Sequence, residues 1–287
     1  ERIEDRWIIS QLNQLISKVT GLLEDFQFGE AAQQIYDFVW SKFCDWYIEI
    51  AKIRFRSDLE KPSPLPFLVD ALEKSLRLLH PFMPFITEEL WQGLKARLPC
   101  SARDNAKMPA SIMIAPYPVA KDAAIHLEAD GVMDSVTEII RSIRNARAEH
   151  RVETDKWVEA QVYSDELLPS LVSQREIIEQ LARAKPLAIL SRQERKPCGA
   201  EALTLVLREA ELVLPLAGLT DRKAEKERLL KESEIVQARI AQLDARLKDS
   251  AFLTKAPAHI IEKEKQNLDL LRDKLKRLNL ELSHLTS

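Results

Sequence analysis

The sequence predicts a mainly α-helical protein that combines a helical bundle, a small α+β linker domain and a C-terminal antiparallel coiled-coil hairpin. Apolar residues recur at helical spacing through residues 1–98, and a heptad pattern runs from Leu219 to the end of the chain. Only 6 of the 287 residues are glycine, so glycine-rich turns are scarce and helix should dominate. We place the domain boundaries at residues 1–118, 119–217 and 218–287.

Breaks in the apolar pattern divide residues 1–98 into predicted helices. The first break is Phe28-Gly29-Glu30, the second runs from Ser57 to Pro66, and the third contains Pro81 and Pro84. Helices of this length with such short connections are typical of a bundle.

The third break should be sharp. Pro81 removes an amide donor and disfavours helical geometry at His80, so the preceding helix should end there. Thr87 is the predicted N-cap of the next helix, because its hydroxyl can accept a hydrogen bond from a free amide. Glu88 and Glu89 would then lie in the first turn, where negative charge is favourable.

Between the bundle and the hairpin, the pattern predicts both helix and strand. Residues 99–118 should be irregular, with residues 111–114 extended. A helix is predicted over residues 130–150, followed by a strand at residues 158–162, where apolar and polar residues alternate. After a further helix, short strands are predicted at Leu187–Leu190, Leu203–Leu207 and Leu212–Leu214.

The last part of the chain has the spacing of a coiled coil. Apolar positions alternate spacings of four and three residues on both sides of an interruption from Asp249 to Pro257. The interruption suits a turn, so the chain should fold back into an antiparallel hairpin with arms of roughly 40 Å. The predicted seam positions are Leu229, Ser233, Val236, Ile240, Leu243, Leu247, Ile261, Glu264, Leu268, Leu271, Leu275, Leu278, Leu282 and Leu285.

Charge is distributed unevenly along the chain. The whole sequence has 42 Lys or Arg and 45 Asp or Glu residues, which gives a net charge of -3. From Leu219 onward there are 15 basic and 12 acidic residues, whereas the rest of the chain has 27 basic and 33 acidic ones. A site for a polyanion should therefore be a local patch, and the hairpin is the more basic part. Mixed charge beside a coiled-coil seam is also normal, so a structural role for the charged residues of the hairpin stays open.

Composition disfavours several classes of protein. Cys44, Cys100 and Cys198 lack the spacing of a disulfide framework or a zinc site, and the five histidines are scattered. No apolar run is long enough to cross a membrane. We therefore expect a cytoplasmic protein without a membrane contact, a metal site or a catalytic constellation. Glu1 lies within helix-like sequence, which suggests a piece of a longer protein.

Three ordered blocks carry a resemblance to a known family. They are Asp5-Arg6-Trp7-Ile8, the run from Phe43 to Glu49, and the run from Leu79 to Trp91 with its two prolines. Together they resemble the anticodon-binding bundle of class I aminoacyl-tRNA synthetases of the valine, isoleucine and leucine group. The tail, with Phe252-Leu253-Thr254-Lys255-Ala256-Pro257 between two heptad helices, is similar to the C-terminal arm of the valine-specific members.

The resemblance implies a parent enzyme that attaches valine to its tRNA through an aminoacyl-adenylate made from ATP. Signatures resembling His-Ile-Gly-His and Lys-Met-Ser-Lys-Ser do not occur here, so it implies catalytic and editing domains upstream in the same protein. The chain itself should be an inactive, monomeric fragment that binds valine tRNA and holds no cofactor. Two alternatives stay open: the corresponding region of an isoleucine enzyme, and a non-enzymatic module whose coiled coil binds a protein partner.

The first helix carries the candidate anticodon-binding residues. Trp7 lies about 120° from the centre of the apolar stripe, where its ring could stack on an unpaired base. Packing against another helix is the open alternative for Trp7, whereas Trp40, Trp46 and Tyr47 should pack inside the bundle. The candidates are Arg2, Arg6, Trp7 and Asn13.

Two basic surfaces are further candidates for RNA contact. Arginines spaced three or four residues apart should form one stripe on the linker helix, although a solvated helix face is the simpler alternative. The stripe consists of Arg141, Arg144, Arg147 and Arg151. The hairpin candidates are Arg222, Lys223, Lys226, Arg228, Lys231, Lys255, Arg272, Lys274, Lys276 and Arg277.

Overall fold

The computed structural model of the chain describes residues 1–57, 62–98, 108–195, 202–215, 222–248 and 258–286. The chain divides into two compact units, the first made of residues 1–146 and 155–214 and the second of residues 147–154 and 215–287. The described part is mainly helical and contains a small mixed sheet, as predicted. The domain boundaries at residues 118 and 217 stay predictions.

The bundle is helical, as predicted. Its elements are α1 Ile3–Glu24, α2 Phe28–Phe38, a π-helical segment Val39–Ile48, α3 Glu49–Ser57, α4 Leu65–Leu79 and α5 Pro84–Arg97. The first break falls just before Phe28, because Phe26 adopts a left-handed φ of 58° after the end of α1. Gly29 is part of α2, so the predicted break at that glycine was wrong by a few residues.

The proline break separates α4 from α5 as predicted, but the predicted N-cap of α5 was wrong. Met83 is the N-cap and Pro84 the first residue, where the missing amide and fixed φ of proline are favourable. Thr87 lies inside the helix, where its hydroxyl donates to the Met83 carbonyl at 2.8 Å and lies 2.7 Å from His80 Nδ1. Thr87 therefore joins the two sides of the break.

Glu88 positions the segment that follows the bundle. Its Oε2 accepts hydrogen bonds from Ser111 Oγ at 2.7 Å and from the Ile112 N–H at 3.1 Å. Hydrogen bonds from Gln92 and Ser111 lower the pKa of Glu88. Residues Ile112–Ile114 form a 3₁₀ turn, so the extended conformation predicted there was wrong.

The apolar stripe of α1 lies in the bundle core. Helix α1 contacts α2, the π segment and α4, and a second apolar cluster surrounds Trp91 where α4 meets α5. Each large apolar side chain that is fully buried contributes about 1.5–3 kcal/mol to folding. The buried stripe consists of Ile8, Leu12, Leu15, Ile16 and Val19.

The predicted α+β part is confirmed, with ends that differ by a few residues. Its elements are α6 Leu127–Glu149, β1 Val158–Tyr163, α7 Leu168–Ser173, α8 Arg175–Ala182, β2 Ala184–Leu190, β3 Ala202–Val206 and β4 Glu211–Pro215. The strand order is β2-β1-β4-β3, in which β1 runs parallel to β2 and antiparallel to β4. Helices α7 and α8 form the crossover between the parallel strands, as such a connection requires.

Helices α9 (Arg222–Lys248) and α10 (Ala258–Thr286) pack against each other. They are antiparallel, because Glu232 near the start of α9 pairs with Lys274 and Arg246 near its end pairs with Glu264. Regular coiled-coil geometry stays a prediction, and the predicted turn at residues 249–257 lies outside the described residues. Predicted seam residues that are buried or half-buried are Ser233, Val236, Ile240, Leu243, Leu247, Glu264, Leu268, Leu271 and Leu275.

A buried ionic cluster joins α1 to α3. The guanidinium of Arg54 donates from Nη1 to Asp5 Oδ1, and Glu4 Oε1 lies 3.3 Å from the same nitrogen. Tyr47 also donates to Asp5 Oδ1, at 2.7 Å. Burial and this hydrogen bond raise the pKa of Tyr47 far above its ordinary value. Because all four side chains are buried, each charge depends on its partner.

We expect Arg54→Met to lower the free energy of unfolding by about 3–5 kcal/mol, because it leaves Glu4 and Asp5 buried without a cation. Urea denaturation followed by circular dichroism measures the change. Lys52→Met is the matched control on the same helix, since the ion pair of Lys52 with Glu49 is exposed and worth about 0–1 kcal/mol. A loss of less than about 1 kcal/mol for Arg54→Met would contradict this role of the cluster.

Candidate nucleic-acid interface

Trp7 is buried, with 1% of its surface exposed, so its predicted place on an open face of α1 was wrong. A helical wheel assumes that only the apolar stripe faces the protein. In the structure α1 contacts α2, α4, the π segment and residues 122–124, so positions off the stripe are covered as well. Lys42 Nζ, for example, lies 5.9 Å from the centre of the Trp7 ring. Packing is therefore the role that the structure supports for Trp7.

The polar side of α1 is covered by the segment that follows the bundle. Ser10 Oγ and Gln14 Nε2 donate to Asp130 Oδ2 at 2.8 Å and 2.7 Å. Asn13, another candidate anticodon-binding residue, is also buried, and its Oδ1 accepts a hydrogen bond from the Lys121 N–H at 2.9 Å. The Asn13 amide therefore fixes the following chain, and its predicted exposure on the polar side was wrong.

Arg2 and Arg6, the other two candidates, line a cavity of about 460 Å³. Its walls come from the start of α1, the end of α3 and the junction of α7 with α8, and we call it the α1–α8 cavity. Gln174 at that junction donates to Glu4 Oε2 at 3.2 Å, across 170 positions of sequence. A single sequence contains no signal for so distant a partner, which is why sequence reasoning missed Gln174.

A second cavity of about 320 Å³ lies between α1 and the helix formed by α2 and the π segment. Two lysines, Lys18 and Lys42, line it together with glutamines of both walls. The two lysine amines and the Gln11 amide can donate hydrogen bonds to a polar or anionic ligand, whereas the amides of Gln14 and Gln34 already donate to Asp130 and Glu30. The glutamines are Gln11, Gln14 and Gln34.

The exposed aromatic residues differ from those that the sequence indicated. Trp46 and Tyr47 are buried as predicted, but Trp40 is 58% exposed, so its predicted burial was wrong. Trp40 lies on the outer side of its helix, where its ring is nearly parallel to that of Tyr36 at a centroid distance of 6.3 Å. Phe85 at the start of α5 is also exposed. Exposed ring faces of this kind can stack on unpaired bases.

Two arginines of the predicted linker stripe contact an aromatic ring. The guanidinium carbons of Arg141 and Arg144 lie 5.2 Å and 5.6 Å from the ring centre of Trp46. Arg144 Nε also donates to the Leu181 carbonyl at 2.9 Å, and burial lowers the pKa of Arg144. Both residues thus help to pack α6 on the bundle, although each keeps an exposed part.

The other two members of the stripe have different surroundings. Arg147 is buried, and its Nη2 donates to the Glu153 carbonyl at 2.9 Å. Arg151 is exposed and lies beyond the end of α6, with a left-handed φ of 51°. The prediction that the four arginines form one stripe was therefore wrong, because a helical wheel cannot foresee where the helix ends or which side chains fold back.

Some basic candidates of the hairpin make ion pairs between its helices. Arg272 Nη2 lies 3.0 Å from Asp244 Oδ1, and Lys274 Nζ lies 2.8 Å from Glu232 Oε1. These charges are partly neutralised, and each exposed ion pair of this kind contributes about 0–1 kcal/mol to the free energy of unfolding.

Other hairpin candidates are available to a ligand. Lys231, Lys276 and Arg277 are exposed, and they form no ion pair with any residue that the structure describes. Lys255 lies outside the described residues. Four further candidates belong to α9, but their side chains are not among those described: Arg222, Lys223, Lys226 and Arg228.

Two other kinds of site are absent from the described residues. No group of three or more His, Cys, Asp or Glu side chains there could hold a metal ion. None of the helices described combines the length and the apolar character needed to cross a bilayer. The candidate interface therefore consists of the two cavities, the exposed aromatic residues and the basic groups of the hairpin.

Two family models match this chain. One, described as the anticodon-binding domain of tRNA ligase, matches residues 5–163 and so covers the bundle, α6 and β1. The other, described as the valyl tRNA synthetase tRNA binding arm, matches residues 221–286, which contain α9 and α10.

Curated relatives match nearly the whole chain. It is 43% identical to the valine--tRNA ligase of Dehalococcoides mccartyi (strain CBDB1) over 96% of the chain and 31% of that protein. It is 38% identical to the same-named protein of Symbiobacterium thermophilum over 99% of the chain and 32% of the relative. For Bacillus subtilis the identity is 35%, over 92% of the chain and 29% of the relative.

The chain thus spans less than a third of the length of the relatives that it matches. The anticodon-binding model covers more than half of the chain, and its range contains all three sequence blocks that carried the resemblance. This chain belongs to the family of anticodon-binding domains of tRNA ligases.

Proposed function

We propose that this chain is the C-terminal tRNA-binding part of a valine--tRNA ligase. The observation that carries the proposal is the order of the two matches, an anticodon-binding domain at residues 5–163 followed by a tRNA binding arm at residues 221–286. The curated relatives with the name valine--tRNA ligase support the valine specificity. The parent enzyme attaches valine to its tRNA with ATP, and this part binds the tRNA without that chemistry or a cofactor of its own.

The partners follow from the same proposal. Valine tRNA binds to the first unit through its anticodon loop and to the hairpin through its phosphate backbone. Upstream catalytic and editing domains of the same protein supply the reaction. The protein is cytoplasmic and monomeric, and sedimentation at several protein concentrations tests the monomeric state.

The chemistry of the surfaces suits RNA. Single-stranded loops are recognised by hydrogen bonds to base edges and by stacking on exposed rings, and the first unit offers amides, guanidinium groups and aromatic faces. Phosphate contacts need exposed cations, which Lys231, Lys276 and Arg277 provide on the hairpin.

We expect the chain to bind a valine tRNA more tightly than the same tRNA with a changed anticodon, by about 1–3 kcal/mol for each base that the protein no longer holds. Fluorescence anisotropy with labelled transcripts at one fixed salt concentration measures the difference. Because only the anticodon changes, the comparison isolates reading of that loop. Equal affinities would refute the anticodon-binding part of the proposal, and preference for an isoleucine anticodon would favour the isoleucine enzyme.

Changing Lys276 and Arg277 together to Gln should weaken binding of whole tRNA and make its salt dependence shallower. Removing two cations that neutralise phosphates should reduce the magnitude of the log–log salt slope by about 1.4 to 1.8. An isolated anticodon stem-loop lacks the rest of the tRNA, so its affinity should stay the same. Anisotropy titrations from low to moderate salt measure both slopes.

The matched control for this pair is Arg272→Gln, because Arg272 is already paired with Asp244 in the same helix pair. Its salt slope should change less than that of the double variant. If the double variant keeps the original slope, the hairpin does not contact phosphates through these residues. Self-association of the chain without tRNA binding would favour the protein-partner alternative.

A further inference from the structure

Helix α5 carries apolar side chains on more than one side. One side faces the bundle, where Trp91 is buried and Leu94 packs against the same apolar cluster. Another side is exposed and presents Ile86 and Leu90, which lie one turn apart. Phe85, in the first turn of the helix, is 91% exposed. A helix that is apolar on several sides is typical of a segment buried between two bodies.

The segment that follows the bundle enlarges this apolar surface. It runs antiparallel to α5, because Lys95 near the end of the helix donates to the Pro109 carbonyl, whereas Glu88 near its start accepts from the Ile112 N–H. The next two residues of the segment therefore lie beside the first turn of α5, and both are exposed. We call the combined surface the α5 apolar surface, and it consists of Met83, Phe85, Ile86, Leu90, Met113 and Ile114.

Folding of this chain does not account for these side chains. Phe85 is the second residue of α5, a position where an acidic side chain would stabilise the helix and an exposed phenyl ring contributes little. Single exposed apolar residues are normal, but a contiguous group of large ones marks a contact surface. Aromatic residues and Met, both present here, are enriched in the cores of protein interfaces.

The charge of the surface disfavours RNA as the molecule that covers it. Residues 78–94 and 108–120 contain no Lys or Arg, whereas Glu88 and Glu89 add two carboxylates. Binding of RNA depends on cations that neutralise its phosphates, so a surface without them would repel the backbone. The surface therefore matches another apolar protein surface.

We propose that the α5 apolar surface docks on the upstream catalytic part of the same polypeptide. The relatives have more than two thirds of their length outside the part that matches this chain, so the proposed parent has ample protein to cover the surface. An enzyme that reads one end of a tRNA and reacts at the other must hold its two parts in a fixed relation, which requires an interface between them. The inference rests on the proposed function, and it assigns Phe85 to a protein contact rather than to RNA.

The four methionines of the chain provide a built-in test. Met83 and Met113 belong to the surface and are 49% and 73% exposed, whereas Met108 and Met133 are buried. Oxidation by dilute hydrogen peroxide, followed by mass spectrometry of peptides, measures the rate at each sulfur. In this chain alone, the two surface methionines should oxidise much faster than the two buried ones. In the parent enzyme without tRNA, all four should oxidise at the slow rate of the buried pair.

A single substitution tests whether the protection comes from this surface. Phe85→Asp in the parent should raise the oxidation rates of Met83 and Met113 toward those of the chain alone, because a charge opposes burial in an apolar interface. The same change in the chain alone should leave its melting temperature unchanged, since Asp is favourable in the first turn of a helix. Phe28→Asp is the matched control, because Phe28 is exposed in the first turn of α2, outside the surface. It should leave all four rates in the parent unchanged.

Three results would overturn the inference while the proposed function stands. In the first, Met83 and Met113 oxidise as fast in the parent as in the chain alone, so the upstream part does not cover them. In the second, their rates in the chain alone fall as its concentration rises, which identifies a second copy as the occupant. In the third, protection in the parent appears only when tRNA is added, which identifies RNA. Failure of the proposed function is a separate result, because the parent would then attach no valine to valine tRNA whatever the methionine rates.

Discussion

The polar side of α1 is buried beneath other parts of the first unit, and the arrangement of that unit depends on the hydrogen bonds that make such burial possible. Burying polar groups without partners would cost several kcal/mol, about 1–3 for each hydrogen bond that is missing. Asp130 accepts from Ser10 and Gln14, Asn13 accepts from the chain at Lys121, and Arg54 neutralises the carboxylates at the start of α1. These contacts fix both the rest of the bundle and the following segment to a single central helix.

A fixed central helix explains how the first unit can present ligand groups at defined positions. Recognition of a flexible loop is stronger when the protein groups are already in place, because less conformational freedom is lost on binding. The α1–α8 cavity lies at the start of α1, beside the ionic cluster of Asp5 and Arg54. The second cavity lies along the same helix, beside Lys18 and Lys42. The hairpin contributes positive charge through exposed side chains such as Lys231, Lys276 and Arg277.

Local signals in the sequence predicted most of the elements. Helical spacing, prolines and alternating strands depend on neighbouring residues, so the helices, the proline break and the strands were confirmed. The predictions for Trp7, Asn13 and Trp40 were wrong, because burial depends on which elements cover a helix. The role of Thr87 was missed because Pro84 starts the helix earlier. Gln174 could not have been predicted at all, since its partner Glu4 lies at the other end of the first unit's sequence. The three blocks that carried the resemblance hold the unit together. Asp5 of the first block accepts a hydrogen bond from Tyr47 of the second, and His80 and Thr87 of the third connect the two sides of the proline break. The candidate contacts with RNA lie mainly on other residues.

Hydroxyl-radical footprinting of the whole chain on a full-length valine tRNA tests the central claim most directly, because it maps every backbone contact in one experiment. We expect protection at two separate places, the anticodon loop and the folded corner of the tRNA, with the second disappearing when Lys276 and Arg277 are changed to Gln. Protection limited to the acceptor stem, or no protection of the anticodon loop, would contradict the assignment of this chain as an anticodon-binding unit with a tRNA-binding arm.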